Sequence, residues 1–271
     1  MFQLTLMQDF YYIYVQINHK MKITGILFLL IMSAFTLSAQ IKINPNEKLV
    51  YTASYTMSGM LTSFAQITLQ TKTVKTSDKT YLNLNMQATT FSKWDTYFKI
   101  RDVYESYVNP TTLVPSMYKR DVLEGAYTKT EKYIFKPDRK TIVATSKRKS
   151  DLEKTNTFTT GSSTMDIVTA LYKLRTFDYA NKKAGDIISV TIVFDEKEIK
   201  ASVKYHGKEK IKAGPLGEVE CYKISINSQT ETMKGKTGNY IWITADSKRI
   251  PAFFKFQIPV GTGQLTLTEV K

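Results

Sequence analysis

Two-residue alternation of apolar and polar side chains runs through most of this chain. Leu49, Tyr51, Ala53, Tyr55 and Met57 alternate with Val50, Thr52, Ser54 and Thr56. Ala65, Ile67 and Leu69 then alternate with Gln66, Thr68 and Gln70, and Ser58-Gly59 supplies the turn between the two runs. Leu82, Leu84, Met86 and Ala88 repeat the pattern against Tyr81, Asn83, Asn85 and Gln87. One apolar and one polar face per run is the mark of antiparallel strands covered on one side. Further strands are expected at 98–108, 113–123, 127–135 and 140–147. A second series follows at 188–194, 199–205, 219–226, 240–245, 252–258 and 264–270. The Asp195-Glu196-Lys197 turn and breaks at Pro137-Asp138, Gly214-Pro215, Gly235, Gly261 and Gly263 punctuate the runs. Pro115 and Pro251, inside apparent strands, point to edges or bulges.

One segment has helical spacing instead. Ile167, Leu171 and Leu174 recur one turn apart, with Ser163 or Thr164 placed to cap the helix and Asp166 in its first turn. This predicts a principal helix over 164–175, and a shorter turn is expected at 91–97. The pattern therefore predicts a mainly β fold: a strongly curved antiparallel sheet or barrel-like single domain of roughly a dozen strands with one principal α-helix. The helix is expected to plug or cover a continuous sheet rather than mark a domain boundary. Lys and Glu recur within the strands, which argues against a membrane-spanning barrel.

The N-terminus carries processing information. Lys22, the uncharged run from Gly25 to Leu37 and small Ala39 have the organisation of a secretory signal over 21–39, with cleavage after Ala39. The run is too short to cross a hydrocarbon core as a helix. Residues 1–20 fit no part of a signal and read as an extension from a start assigned upstream of Met21. The alternative is a real extension that keeps Gly25–Leu37 as an anchor. The expected organisation is thus 1–20 extension, 21–39 signal, and 40–271 a single β-rich exported domain. The expected location is the periplasm or the outer membrane.

Composition narrows the chemistry. The 271 residues are 42% apolar and 23% charged, with a formal net charge of +14, one cysteine (Cys221) and two histidines (His19 and His206). So few thiols and imidazoles exclude a disulfide framework and zinc sites built from clustered Cys and His, and they leave little histidine for acid–base catalysis. Cys221, between Glu220 and Tyr222, is expected to be a buried, inert thiol. His206, next to Gly207, reads as a turn residue. Outside the cytoplasm a basic excess suits anionic lipid, lipopolysaccharide or acidic glycan rather than nucleic acid. Gly235-Lys236-Thr237 lacks the earlier glycine of a phosphate-binding loop, and no G-x-S-x-G elbow is present. No catalytic residue, metal ligand or cofactor is assigned.

Aromatic and charged residues concentrate between Trp94 and Glu124. Trp94, Tyr97, Arg101, Tyr104, Glu105, Tyr118 and Arg120 are the candidate ligand-binding residues. In a strand Arg101, Val103, Glu105 and Tyr107 share one face and Asp102, Tyr104 and Ser106 the other. Adjacent strands would set Arg101 or Arg120 opposite Glu105, Asp102 or Glu124. Such a set forms either cross-strand ion pairs or a polar patch that orients an amphipathic ligand. A pair of carboxylates about 5–9.5 Å apart would instead suit glycoside hydrolysis.

Several motifs in order resemble a known family. They are Asn46-Glu47-Lys48-Leu49-Val50-Tyr51, Arg101-Asp102-Val103-Tyr104-Glu105-Ser106-Tyr107, Ala170-Leu171-Tyr172-Lys173-Leu174-Arg175, Tyr205-His206-Gly207-Lys208-Glu209, Trp242-Ile243-Thr244-Ala245-Asp246 and Arg249-Ile250-Pro251. Together they are similar to an exported bacterial, Bacteroidetes-type domain of unknown function of the DUF3108 kind, from Asn46 to the C-terminus. The resemblance implies an all-β, barrel-like envelope protein and supplies no activity or site residue. The function expected is that of a non-enzymatic envelope protein binding an amphipathic or anionic, lipid-derived ligand, with peripheral membrane contact. A structural or protein-interaction module of the envelope is the alternative, and a glycan-acting enzyme with paired carboxylates the third reading.

Overall fold

The computed structural model describes residues 43–57, 59–228, 238–258 and 261–271. The expected extension and signal, His19, Ser58 of the first turn and Gly235-Lys236-Thr237 lie outside the described residues. Fifteen strands form one sheet. They are β1 (Lys48–Met57), β2 (Met60–Lys75), β3 (Thr80–Thr90), β4 (Arg101–Val108), β5 (Pro115–Glu124), β6 (Tyr127–Phe135), β7 (Thr141–Arg148), β8 (Lys154–Thr159), β9 (Met165–Asp166), β10 (Ile187–Phe194), β11 (Lys197–Lys212), β12 (Glu218–Ser228), β13 (Tyr240–Thr244), β14 (Pro251–Ile258) and β15 (Gly261–Val270). Two short helices interrupt them, α1 (Ser92–Asp95) and α2 (Ile167–Leu174).

The order across the sheet is β8-β7-β6-β5-β4-β3-β2-β1-β15-β14-β13-β12-β11-β10-β9. Every strand thus lies beside its sequence neighbours, except that β15 returns to pair with β1 and β8 does not pair with β9. The two chain-terminal strands sit at the centre of the sheet and β8 and β9 at its edges. All pairings are antiparallel apart from β9 against β10. The sheet is curved and unclosed, in keeping with the predicted fold class.

Alternation explains which face is buried. Leu49, Tyr51, Leu69, Leu82, Leu84, Val108, Tyr118, Tyr133 and Leu267 meet on the inner face with Val168 and Tyr172 of α2. Ala170 and Leu174 of the same helix pack with Tyr179, Val203, Tyr205, Tyr222 and Ile241. The helix joins the two halves of the core. A satellite cluster of Ala213, Cys221, Trp242 and Ala252 forms on the other face of the sheet, beneath the turn at Gly214–Leu216 that follows β11. The Cys221 thiol is buried there, and burial pushes its pKa up to about 12, far from a reactive thiolate.

Buried charge fixes the lower end of α2. The Arg175 guanidinium holds the Glu47 carboxylate through two contacts of 2.6 and 2.8 Å and donates to the Arg249 and Lys248 carbonyls at 2.8 and 2.9 Å. One side chain thereby ties the start of β1, the end of α2 and the β13–β14 turn.

Three local readings change. Asp166, not Ser163 or Thr164, caps α2: its carboxylate accepts from the Thr169 amide at 2.8 Å, and the helix begins at Ile167. His206 is no turn residue, because β11 continues through it to Lys212 and skips one register position between Tyr205 and Gly207. His206 is the extra residue of a bulge, and Gly207 resumes the pairing opposite Lys223. Pro115 and Pro251 open their strands beside register shifts, positions where strands tolerate proline.

Candidate functional site

The seven residues singled out from sequence fall in three places. Trp94, Tyr97 and Arg101 sit at the α1 corner between β3 and β4. There the Trp94 indole N–H donates to the Ser63 carbonyl at 2.9 Å, and Arg101 pairs with Asp95 at 2.5 Å. That bond holds the Asp95 carboxyl below its ordinary range. Glu105 is on the outer face of β4, within 3.5 Å of the Asn83 and Asn85 amides. Tyr104, Tyr118 and Arg120 meet on the inner face, since Arg120 is in register with Tyr104 and Tyr118 with Ser106.

Arg120 does not find the partners suggested from sequence. Its cross-strand neighbour is Glu131 of β6, at 3.0 Å, and its second partner is Asp195 from the distant β10–β11 turn. Lys129 completes the cluster, 2.8 Å from Glu131 and 2.6 Å from Asp195. The guanidinium also lies over the Phe194 ring, 4.4 Å from its centroid. Burial opposes its charge, but Glu131 and Asp195 outweigh it and hold its pKa above the ordinary value. Burial pushes the neighbouring Tyr104 hydroxyl up to about 12. The charges of two cations and two anions balance here, so this cluster is a structural clasp rather than an open anion site.

The same turn makes further contacts across the gap between the sheet edges. The Glu196 amide donates to the Tyr133 hydroxyl at 2.9 Å, and its carboxylate takes bonds from Ser146 and Asn156 at 3.3 and 3.0 Å. Glu198 accepts from the Gly161 amide and the Thr164 hydroxyl. Side chains, not a backbone ladder, bridge the opening between β8 and β10.

Two concavities stand out among the described residues. A polar one of about 420 Å³ lies over β4–β7, with Glu105, Lys119, Asp121, Lys132 and Glu153 in its lining. Its charges are of both signs. The second, of about 530 Å³, is almost wholly apolar. Its floor is Ile167, Ala170, Leu171 and Leu174 of α2. Its walls are Val190, Ile192 and Phe194 of β10, Ile199, Ala201 and Val203 of β11, Ile226 of β12, Ile241 of β13, and Phe254 and Phe256 of β14. Met86 closes the far side, and Ser228 and Asn239 lie where β12 and β13 meet their connection.

The walls follow from alternation, which sets Val190, Ile192 and Phe194 together on the inner face of β10. Phe256 is held by what lies beside it, because its ring packs across Gly263, where a Cβ would come within 2.3 Å. A side chain at Gly263 would drive the ring into the cavity. Sequence reasoning found the β10 face as core but not as a cavity wall, since an apolar face reads the same whether it meets side chains or space. Among the described residues no group of three or more His, Cys, Asp or Glu is placed to hold a metal ion.

Comparison with known proteins bears on the fold. No curated protein matches the chain. A β-barrel-like protein of the domain of unknown function DUF1849 from Brucella abortus is similar in structure, with a TM-score of 0.57 at 8% identity, over 85% of this chain and 98% of that one. A putative exported protein with a YmcC-like fold from Bacteroides fragilis aligns over the same shares at 7% identity and a TM-score of 0.30. At the level of sequence, residues 50–268 match the family described as Protein of unknown function (DUF3108), and the chain belongs to that family.

Proposed function

We propose that this chain is a non-enzymatic, exported binding protein of the periplasm or outer membrane, whose apolar cavity takes the hydrophobic portion of an amphipathic, lipid-derived ligand. The cavity of about 530 Å³ between α2 and β10–β14 carries the reading. It lies within the roughly 300–1,000 Å³ typical of small-molecule sites, and its lining is apolar as such sites are. The polar residues in its lining, Ser228, Asn239, Tyr240 and Lys255, lie toward one end, which suits a ligand with one polar terminus. Export rests on the charged, apolar and small-residue order of 21–39. We keep the ligand class expected from sequence but propose its seat in the α2 cavity rather than at the Trp94–Arg120 set.

Titration of delipidated protein with a fluorescent fatty acid such as cis-parinaric acid tests this. Saturable binding is expected, weakened at least tenfold by Ala201→Trp, which fills the cavity from β11. Absence of saturable binding, or binding indifferent to that substitution in a folded variant, overturns the proposal.

A further inference from the structure

Apolar side chains left in water are unevenly placed on this molecule. Among the described residues Met60, Leu61, Tyr97, Phe98 and Leu152 are large, apolar and more than half exposed. All five belong to one end of the sheet. Met60 and Leu61 open β2, directly after the β1–β2 turn. Tyr97 and Phe98 belong to the α1 corner, where β3 gives way to β4. Leu152 lies in the β7–β8 turn. Ile187, also exposed, starts β10 at the opposite end.

The first four form one patch, because the α1 corner rests on the start of β2. The Phe91 amide donates to the Phe64 carbonyl, the Trp94 indole donates to Ser63, and the Trp94 and Tyr97 rings lie 5.9 Å apart. Isolated exposed apolar residues need no explanation, but a cluster containing Trp, Tyr, Phe, Leu and Met does. Cations surround it. Lys93 lies over the Trp94 ring, 5.8 Å from its centroid, Lys99 follows Phe98, and Arg101 is next in line. Neither Lys93 nor Lys99 has an ion-pair partner among the described residues, and Asp95 is taken by Arg101.

We propose that this end of the sheet docks on an anionic phospholipid surface, with Met60, Leu61, Trp94, Tyr97 and Phe98 entering the headgroup layer and Lys93 and Lys99 meeting lipid phosphates. Amphipathic Trp and Tyr rings favour the boundary between water and hydrocarbon. Each lysine near an anionic leaflet strengthens attachment further. A protein partner would be served by the apolar residues alone, whereas unpaired lysines beside interfacial aromatics match a lipid headgroup layer. The inference rests on the proposed cavity function for its purpose. The cavity lining runs from α2 toward Phe194, Ile199, Ser228 and Asn239, at the same end of β10–β13, so docking would bring a lipid-derived ligand to the end where the cavity's polar groups lie.

The chain has two tryptophans, Trp94 and Trp242, and Trp242 is buried in the satellite cluster. The variant Trp242→Phe therefore leaves Trp94 as the sole reporter. Mixed with vesicles of phosphatidylethanolamine and phosphatidylglycerol carrying brominated acyl chains, it is expected to lose at least half its emission and shift to the blue. Leu61→Asp with Tyr97→Asp should weaken vesicle partition at least tenfold, and Ile187→Asp should leave it unchanged. The Gly25–Leu37 segment is common to all variants, so it cancels from their comparison. If Trp242→Phe fails to fold, Trp94→Phe in the native background must abolish the lipid-dependent change instead. Trp94 emission unaffected by brominated lipid, whether the protein stays free, self-associates or binds vesicles elsewhere, overturns the proposal. Fatty-acid binding in the absence of vesicles separates the two readings: its retention confines the failure to docking, and its loss removes the cavity function.

Discussion

Asp102 sits on the inner face of β4, where its carboxylate accepts from the Leu123 amide at 3.1 Å. Burial, with a smaller push from Glu124, raises its carboxyl to about 6 from an ordinary 3.8. Well below pH 4 the folded and unfolded chains both hold the proton. Between about 4 and about 6 only the folded chain does, so stability falls as pH rises, by up to about 1.4 kcal/mol per pH unit. Above that window the loss is complete. Asp102→Asn resembles the protonated acid and keeps an oxygen for Leu123. It is expected to be more stable than the native chain by up to about 3 kcal/mol at pH 7, with the advantage shrinking toward zero near pH 3.5. Urea midpoints at the two pH values check this, and a gain independent of pH refutes it. At this scale the sequence showed that Asp102 and Arg101 point to opposite faces. It did not show that Arg120 faces Glu131 and Asp195, because register across β6 and contact with a turn 75 positions away leave no local trace.

Elements were legible where one face meets a core and illegible where none does. β6 was predicted with the bounds observed, Tyr127–Phe135. β8 was not predicted, since its side chains are almost all exposed and an edge strand with nothing packed on it has no reason to alternate. The sheet order was beyond reach for a related reason: alternation names a face, not a neighbour. At α2 the capping error is instructive. Ser163, Thr164 and Asp166 are all suitable residue types, and tertiary contacts decide among them. The Asp166 carboxylate is fully buried, and besides the Thr169 amide it accepts from the Ser106 and Thr169 hydroxyls at 2.8 and 2.7 Å. Asp166→Ala removes the cap and these bonds together. Loss of about 2–4 kcal/mol is expected, against less than about 0.5 kcal/mol for exposed Ser163→Ala. Denaturant titration of the two variants distinguishes them, and equal effects would return the cap to Ser163.

Across the described unit, strength is graded from the centre of the sheet to its seam. β1 is paired along nearly its whole length with both β2 and β15, and its Leu49 and Tyr51 are fully enclosed. β8 has one neighbour, and β10 has β11 on one side but only the two-residue β9 on the other. What spans the gap is the Asp195-Glu196 turn, both of whose residues hold positive φ, a conformation that costs non-glycine residues about 1 kcal/mol or more. The turn persists because Arg120, Lys129, Tyr133 and Asn156 grip it. A curved sheet closed by side chains opens most cheaply there, since no run of ladder bonds must break together. Native-state hydrogen exchange should therefore rank the amides, with β8 and the free edge of β10 exchanging first and β1, β2 and β15 last. Asp195→Asn keeps the shape of the turn but removes the charge shared by Arg120 and Lys129. It should speed exchange in β8 and β10 at least tenfold while leaving β1 and β15 within twofold of the native rate. Uniform acceleration would mean that the sheet opens only as a whole, and the cavity beside β10 would then lack a lateral opening of its own.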